Sequence, residues 1–169
     1  MHKTLQTTLI ACVLTASQWA SAQAVEVTGA WARATVQGQK ASGAFMQLTA
    51  PQGARLISVS SPVAGVAEVH EMKMEGDVMK MRALPNGLEL PAGKAVTLSP
   101  GGFHVMLMDL KVPLQKETTI PMTLVFKDAK GIETKKELRV PVSVTAPAGA
   151  APAGMAMPMP AAGGHVHGK

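Results

Sequence analysis

Apolar and polar positions change places over short distances along this chain, in runs of strand length separated by turn residues. Val25 to Thr35 alternates loosely, Ala41 to Leu48 follows, and Pro51-Gln52-Gly53 marks a turn. Leu56 to Val59 leads to Ser61-Pro62. Val66 to Met74 then begins a hairpin whose return strand, Val78 to Leu84, stops at Pro85-Asn86-Gly87. Leu88 to Leu90, Pro91-Ala92-Gly93 and Ala95 to Leu98 read as strand, turn and strand. Ser99-Pro100-Gly101-Gly102 introduces Phe103 to Leu110, an almost wholly apolar run that suits a central strand. Ile120 to Phe126, a turn over Asp128-Ala129-Lys130-Gly131, and Ile132 to Val144 form a last hairpin. No segment holds a helical period of useful length, and turn residues recur about every 8 to 12 positions, as in sandwiches and barrels. The pattern predicts an all-β fold: an antiparallel β-sandwich with Greek-key connections.

The two ends depart from this pattern. Residues 1–22 have the form of a cleavable export signal, with Lys3 at the start, an apolar run from Leu5 to Ala16, and the small-residue pattern Ala20-Ser21-Ala22. Ala22-Gln23-Ala24 offers a second cleavage site. The apolar run is too short to remain as a membrane anchor. Leu9-Ile10-Ala11-Cys12 resembles a lipoprotein box, but it would leave almost no apolar segment before it. The expectation is a periplasmic protein with no membrane anchor. From Ala146 the composition turns to Ala, Pro, Gly, Met and His, which cannot bury enough apolar surface to offset the entropy of ordering. The expected organisation is a signal at 1–22, one folded domain at 23–145 and a disordered Met/His-rich tail at 146–169.

Composition removes several function classes. Cys12 is the only cysteine and would leave with the signal, so the mature chain would have no disulfide, thiolate ligand or cysteine nucleophile. The formal net charge is +5, but the basic residues are scattered and do not alternate with aromatics, so nucleic-acid binding is not expected. Few histidines, no Ser-His-acid arrangement and no Gly-rich phosphate loop leave no basis for a hydrolase, and no enzyme activity is expected.

Histidine and methionine placement carries the chemistry. His70-Glu71-Met72-Lys73-Met74, Glu75-Gly76-Asp77 and Val78-Met79-Lys80-Met81 form the central hairpin. Side chains two apart on a strand share a face, so His70, Met72 and Met74 lie together, as do Met79 and Met81. A two-residue loop at Glu75-Gly76 sets Met72 opposite Met79 and His70 opposite Met81. A four-residue loop sets Met72 opposite Met81 and leaves His70 one diagonal away. A three-residue loop would split the two sets. His104-Val105-Met106 aligns another His and Met. Methionine is also a core filler, and Met46, Met108 and Met122 are expected in the core. Thioethers are soft, uncharged ligands that disfavour Mg, Ca and Mn, and together with imidazole they suit copper, above all Cu(I). Such a site, exposed, neutral and at one end of the sandwich, suits transfer of an ion rather than catalysis.

These residues resemble those of the periplasmic PCuAC copper chaperones, cupredoxin-like proteins that pass copper toward the CuA centre of cytochrome c oxidase. The resemblance rests on His70, Met81 after ten intervening residues, and His104-Val105-Met106, and it spans Val25 to Val144. It implies His70, Met81, His104 and Met106 as ligands of Cu(I), and an oxidase subunit or another copper chaperone as the acceptor. It also implies a second copper site in the tail. There Met155, Met157 and Met159 would suit Cu(I), and His165 and His167 would suit Cu(II). A monomer is expected. A blue-copper electron carrier fails for want of a thiolate, and a copper oxidase finds no Tyr and no spare His. A copper buffer without a dedicated acceptor shares every residue with the chaperone, and an exported sandwich with merely packed methionines remains the plain alternative.

Overall fold

The computed structural model describes residues 24–148, and the leader and the tail's Met155, Met157, Met159, His165 and His167 lie outside them. The described strands in chain order are β1 (Glu26–Arg33), β2 (Ala41–Thr49), β3 (Ala54–Ser60), β4 (Ala64–Glu75), β5 (Val78–Ala83), β6 (Leu88–Leu90), β7 (Ala95–Leu98), β8 (Phe103–Leu110), β9 (Thr119–Lys127) and β10 (Glu133–Ser143). Alternation drives their formation. On β9, Ile120, Met122, Leu124 and Phe126 are all buried, and the residues between them are not.

The strands run β5-β4-β8-β7-β2-β1-β10-β9-β3-β6, and β2 also pairs directly with β8. The pairings are antiparallel except for two short parallel contacts, β1 with β10 and β7 with β8. One buried cluster takes Ala44, Leu48, Val69, Val105 and Leu107 from the β5-to-β1 half and Leu56, Val59, Leu124 and Val140 from the β10-to-β6 half. The halves therefore stack on a shared core, as in the β-sandwich that the pattern predicted and the cupredoxin-like form that the resemblance implied. Burying each such Leu contributes about 1.5–3 kcal/mol relative to leaving it in water.

β8 is the central strand expected from its apolar run, flanked by β4 on one side and by β2 and β7 on the other. Val105 and Leu107 point into the core, so His104, Met106 and Met108 must point the other way. Met108 therefore departs from expectation. Met46 and Met122 are core residues at 2% and 1% exposure, whereas Met108 is half-buried, opposite Ala41 and Val66 on the outer face.

The central hairpin takes the second of the two favourable registers. Met72 opposes Met81, Met74 opposes Met79, and His70 opposes Ala83. Glu75 also pairs with Val78, so Gly76 and Asp77 alone make the turn. Gly76 has φ 63°, as the first central position of a type II′ hairpin turn requires. The β4–β8 ladder ends at Glu71 and Phe103, so the hairpin overruns β8 and β5 is a fully exposed edge.

Candidate metal centre

Directly opposed residues of an antiparallel pair share a face. The β4–β8 ladder sets His70 opposite His104 and Glu68 opposite Met106. β2 brings Gly43 against Met106, and β5 brings Met81 against Met72. The intervening residues Val69, Val105 and Ala44 are in the core. All the candidate ligands of the folded domain thus lie on the outer face of the sheet, near the end where β8 begins.

The two imidazoles are buried, at 8% and 7% exposure, with ring centroids 5.9 Å apart and planes tilted by 49°. His104 Nδ1 lies 3.0 Å from Gly102 O. A carbonyl only accepts, so Nδ1 carries the proton and Nε2 keeps its lone pair. His70 Nε2 lies 3.1 Å from Glu68 Oε2. A carboxylate likewise accepts, so Nε2–H donates and Nδ1 keeps the lone pair. His70 Nδ1 is buried with no hydrogen-bond partner among the described residues. Such an atom costs about 1–3 kcal/mol, and metal ligation is one way to recover that. A His whose second nitrogen donates to a carboxylate is also the usual setting of a metal-bound imidazole.

Met72, His104 and Met106 line one open recess of about 300 Å³, closed on its other side by Arg33, Gly43 and Phe45. The Arg33 guanidinium stands over the Phe45 ring at 5.6 Å, and Phe45 packs on Trp31 with centroids 4.7 Å apart. Gly43 lets Phe45 lie close, because a Cβ there would come within 2.8 Å of Phe45 Cζ. Met81 is on the same face but one strand further out, 49% exposed.

Two features differ from the expectation of an exposed, neutral site at one end. The imidazoles are buried while the thioethers of Met74, Met79 and Met81 are exposed, and the charged Glu68 and Arg33 stand beside the candidate ligands. Glu68 was legible from its place two residues before His70 on one strand face. Arg33, Gly43 and Phe45 were not, because only the pairing of β2 with β8 brings them here. Among the described residues no group of three His, Cys, Asp or Glu side chains is arranged to hold an ion, and the thioethers of Met72 and Met106 line the recess beside His104.

A family profile described as "Putative lipoprotein LpqE-like" matches residues 25–144. "Putative lipoprotein Lxx21020" of Leifsonia xyli subsp. xyli (strain CTCB07) is 34% identical over 107 residues, or 63% of this chain. The match spans 64% of that relative's length. The copper-bound PCuAC domain from PmoF2 aligns with a TM-score of 0.53 and 25% identity, covering 70% of this chain and 93% of that domain. The Cu(I) form of DR1885 from Deinococcus radiodurans aligns with a TM-score of 0.53 and 30% identity, over 75% of this chain and 85% of that protein.

Proposed function

Because the chain belongs to the LpqE-like family, as an exported protein with a PCuAC-type domain, we propose that it is a periplasmic copper chaperone with Cu(I) as its cargo. The observation that carries this reading is the buried His70–His104 pair, each ring held by one nitrogen and offering a lone pair on the other. Similarity to domains described as copper-bound adds to it.

His70 Nδ1 and His104 Nε2 supply the imidazole ligands, and Met81 and Met106 the thioethers. Soft, uncharged sulfur favours Cu(I) over harder divalent ions. Burial of the rings keeps water from competing, while the exposed side of the recess leaves room for an acceptor's ligands. The ion passes on unchanged, so the protein binds and transfers rather than catalyses. The acceptor is the CuA-bearing subunit of cytochrome c oxidase or another copper chaperone, and the donor works as a monomer. The tail, through Met155, Met157, Met159, His165 and His167, holds a second copper ion, Cu(II) on its imidazoles.

Competition with a chromophoric Cu(I) chelator tests the folded site: one tightly held ion is expected, and unchanged affinity in a His104→Ala/Met106→Ala variant rejects the assignment. Mixing the loaded protein with apo oxidase subunit tests delivery, read by the absorption of the CuA centre.

A further inference from the structure

The β4–β5 hairpin has two faces of opposite chemistry. On one face, Arg82 donates to Glu71 Oε2 from Nη2 and Nε at 2.9 and 3.1 Å, and Lys80 Nζ reaches Glu75 Oε2 at 2.7 Å. On the other, Met72 opposes Met81 and Met74 opposes Met79, so every position beyond His70 is a thioether. The proposed Cu(I) site uses only Met81 of these four.

Packing does not account for the remaining three. None of the four belongs to the buried core, and Met74 and Met79 stand past the end of the β4–β8 ladder at 54% and 46% exposure. Strand propensity does not ask for them either, since β-branched and aromatic side chains fill such positions better. What an exposed pair of methionines offers is two soft donors on one spot. Opposed Cβ atoms are about 4.5–5.5 Å apart, so two flexible thioethers converge on one ion. Each rung is about 7 Å from the next along the strands. The rungs lead from the half-exposed Met74–Met79 pair, through Met72–Met81, to the buried His70.

We propose that Met74 and Met79, with Met72 on the next rung, form a second and weaker site for a soft monovalent cation, through which Cu(I) enters and leaves the His70–His104 centre. The second role rests on the copper reading above; the affinity of the hairpin for a soft ion does not. At each rung one metal–sulfur bond forms as another breaks. Copper stays Cu(I) throughout, and no electron or proton moves.

The test uses the mature full-length chain with 13C-labelled methionine methyls, each assigned by a single Met→Leu substitution, and Ag(I) as a redox-inert probe. The first equivalent is expected to shift Met106 and the imidazoles of His70 and His104. Further Ag(I) is expected to shift Met74 and Met79 together. In Met74→Leu/Met79→Leu, which keeps apolar volume, the hairpin response disappears and the tail methyls respond as before. Release of pre-bound Cu(I) to excess chelator slows about tenfold, equivalent to about 1.4 kcal/mol in the barrier. Met74 and Met79 methyls unmoved at saturation, or a release rate equal to the parent's, overturns the proposal. Imidazoles of His70 and His104 that never respond, while the hairpin methyls do, overturn the folded copper centre instead and leave the hairpin site standing.

Discussion

Glu68 Oε2 accepts a hydrogen bond from His70 Nε2 at 3.1 Å, and this one contact decides which nitrogen of the ring is offered to an ion. Removing the carboxylate frees the ring to change tautomer or rotate. Glu68→Ala is therefore expected to weaken Cu(I) binding by about 10-fold, at the low end for loss of a ligand's supporting partner. Glu68→Gln retains an accepting oxygen and should lose less. Chelator competition measures both, and 15N shifts of His70 report the tautomer.

Met72 and Met81 face each other across the hairpin, so either sulfur is near enough to be considered as the fourth ligand. With Met81 in that role, Met81→Leu lowers Cu(I) affinity by about 1.4 kcal/mol or more, a factor of at least ~10. Met72→Leu then has a smaller effect. The reverse order, measured by the same competition, would transfer the role to Met72, which lines the recess with His104 and Met106.

Gly43 leaves the space that the Phe45 ring fills beside Met106. Gly43→Ala puts a methyl 2.8 Å from Phe45 Cζ, so the ring must move against Trp31. Overpacking of this kind costs about 1–3 kcal/mol. Denaturant unfolding followed by Trp31 emission measures the loss, and the native emission itself should shift.

A chain ending at Thr145 keeps every described strand, since β10 ends at Ser143. Its urea midpoint is expected to match that of the mature protein, while total copper bound per chain falls. Equal stoichiometry before and after truncation, by elemental analysis, would remove the tail from the copper assignment.

Cleavage after Ala22 leaves a mature protein without any thiol, because Cys12 is the only cysteine. Intact mass of the exported protein is expected to match a start at Gln23 and to be unchanged by maleimide. A start at Cys12 carrying added lipid mass would instead make it membrane-anchored, in keeping with the lipoprotein description of its family.

Much of the architecture was legible because its causes are local. Period-two alternation and Gly, Pro, Asn and Asp at turns mark all ten described strands, and the apolar run of Phe103 to Leu110 marks the central one. The same alternation put His104 and Met106 on one face, and His70 with Met72 and Met74 on another. It could not say that these two faces are one. Met108 shows the limit well: its hydrophobicity suited a core, yet its parity with Met106 on β8 turned it outward.

What the sequence by itself determined was therefore the set of strands, the side chains sharing a face within each, and the imidazole–thioether chemistry they carry. These follow from backbone geometry and side-chain type over a few residues. Tertiary structure alone decided that His70 meets His104, that the hairpin takes the Met72–Met81 register, and that Arg33 and Phe45 stand beside the candidate ligands. Those outcomes depend on which strands lie side by side. Burial of Val69, Val105 and Ala44 on the opposite face selects that pairing, because a slip of one residue would put the apolar side chains in water.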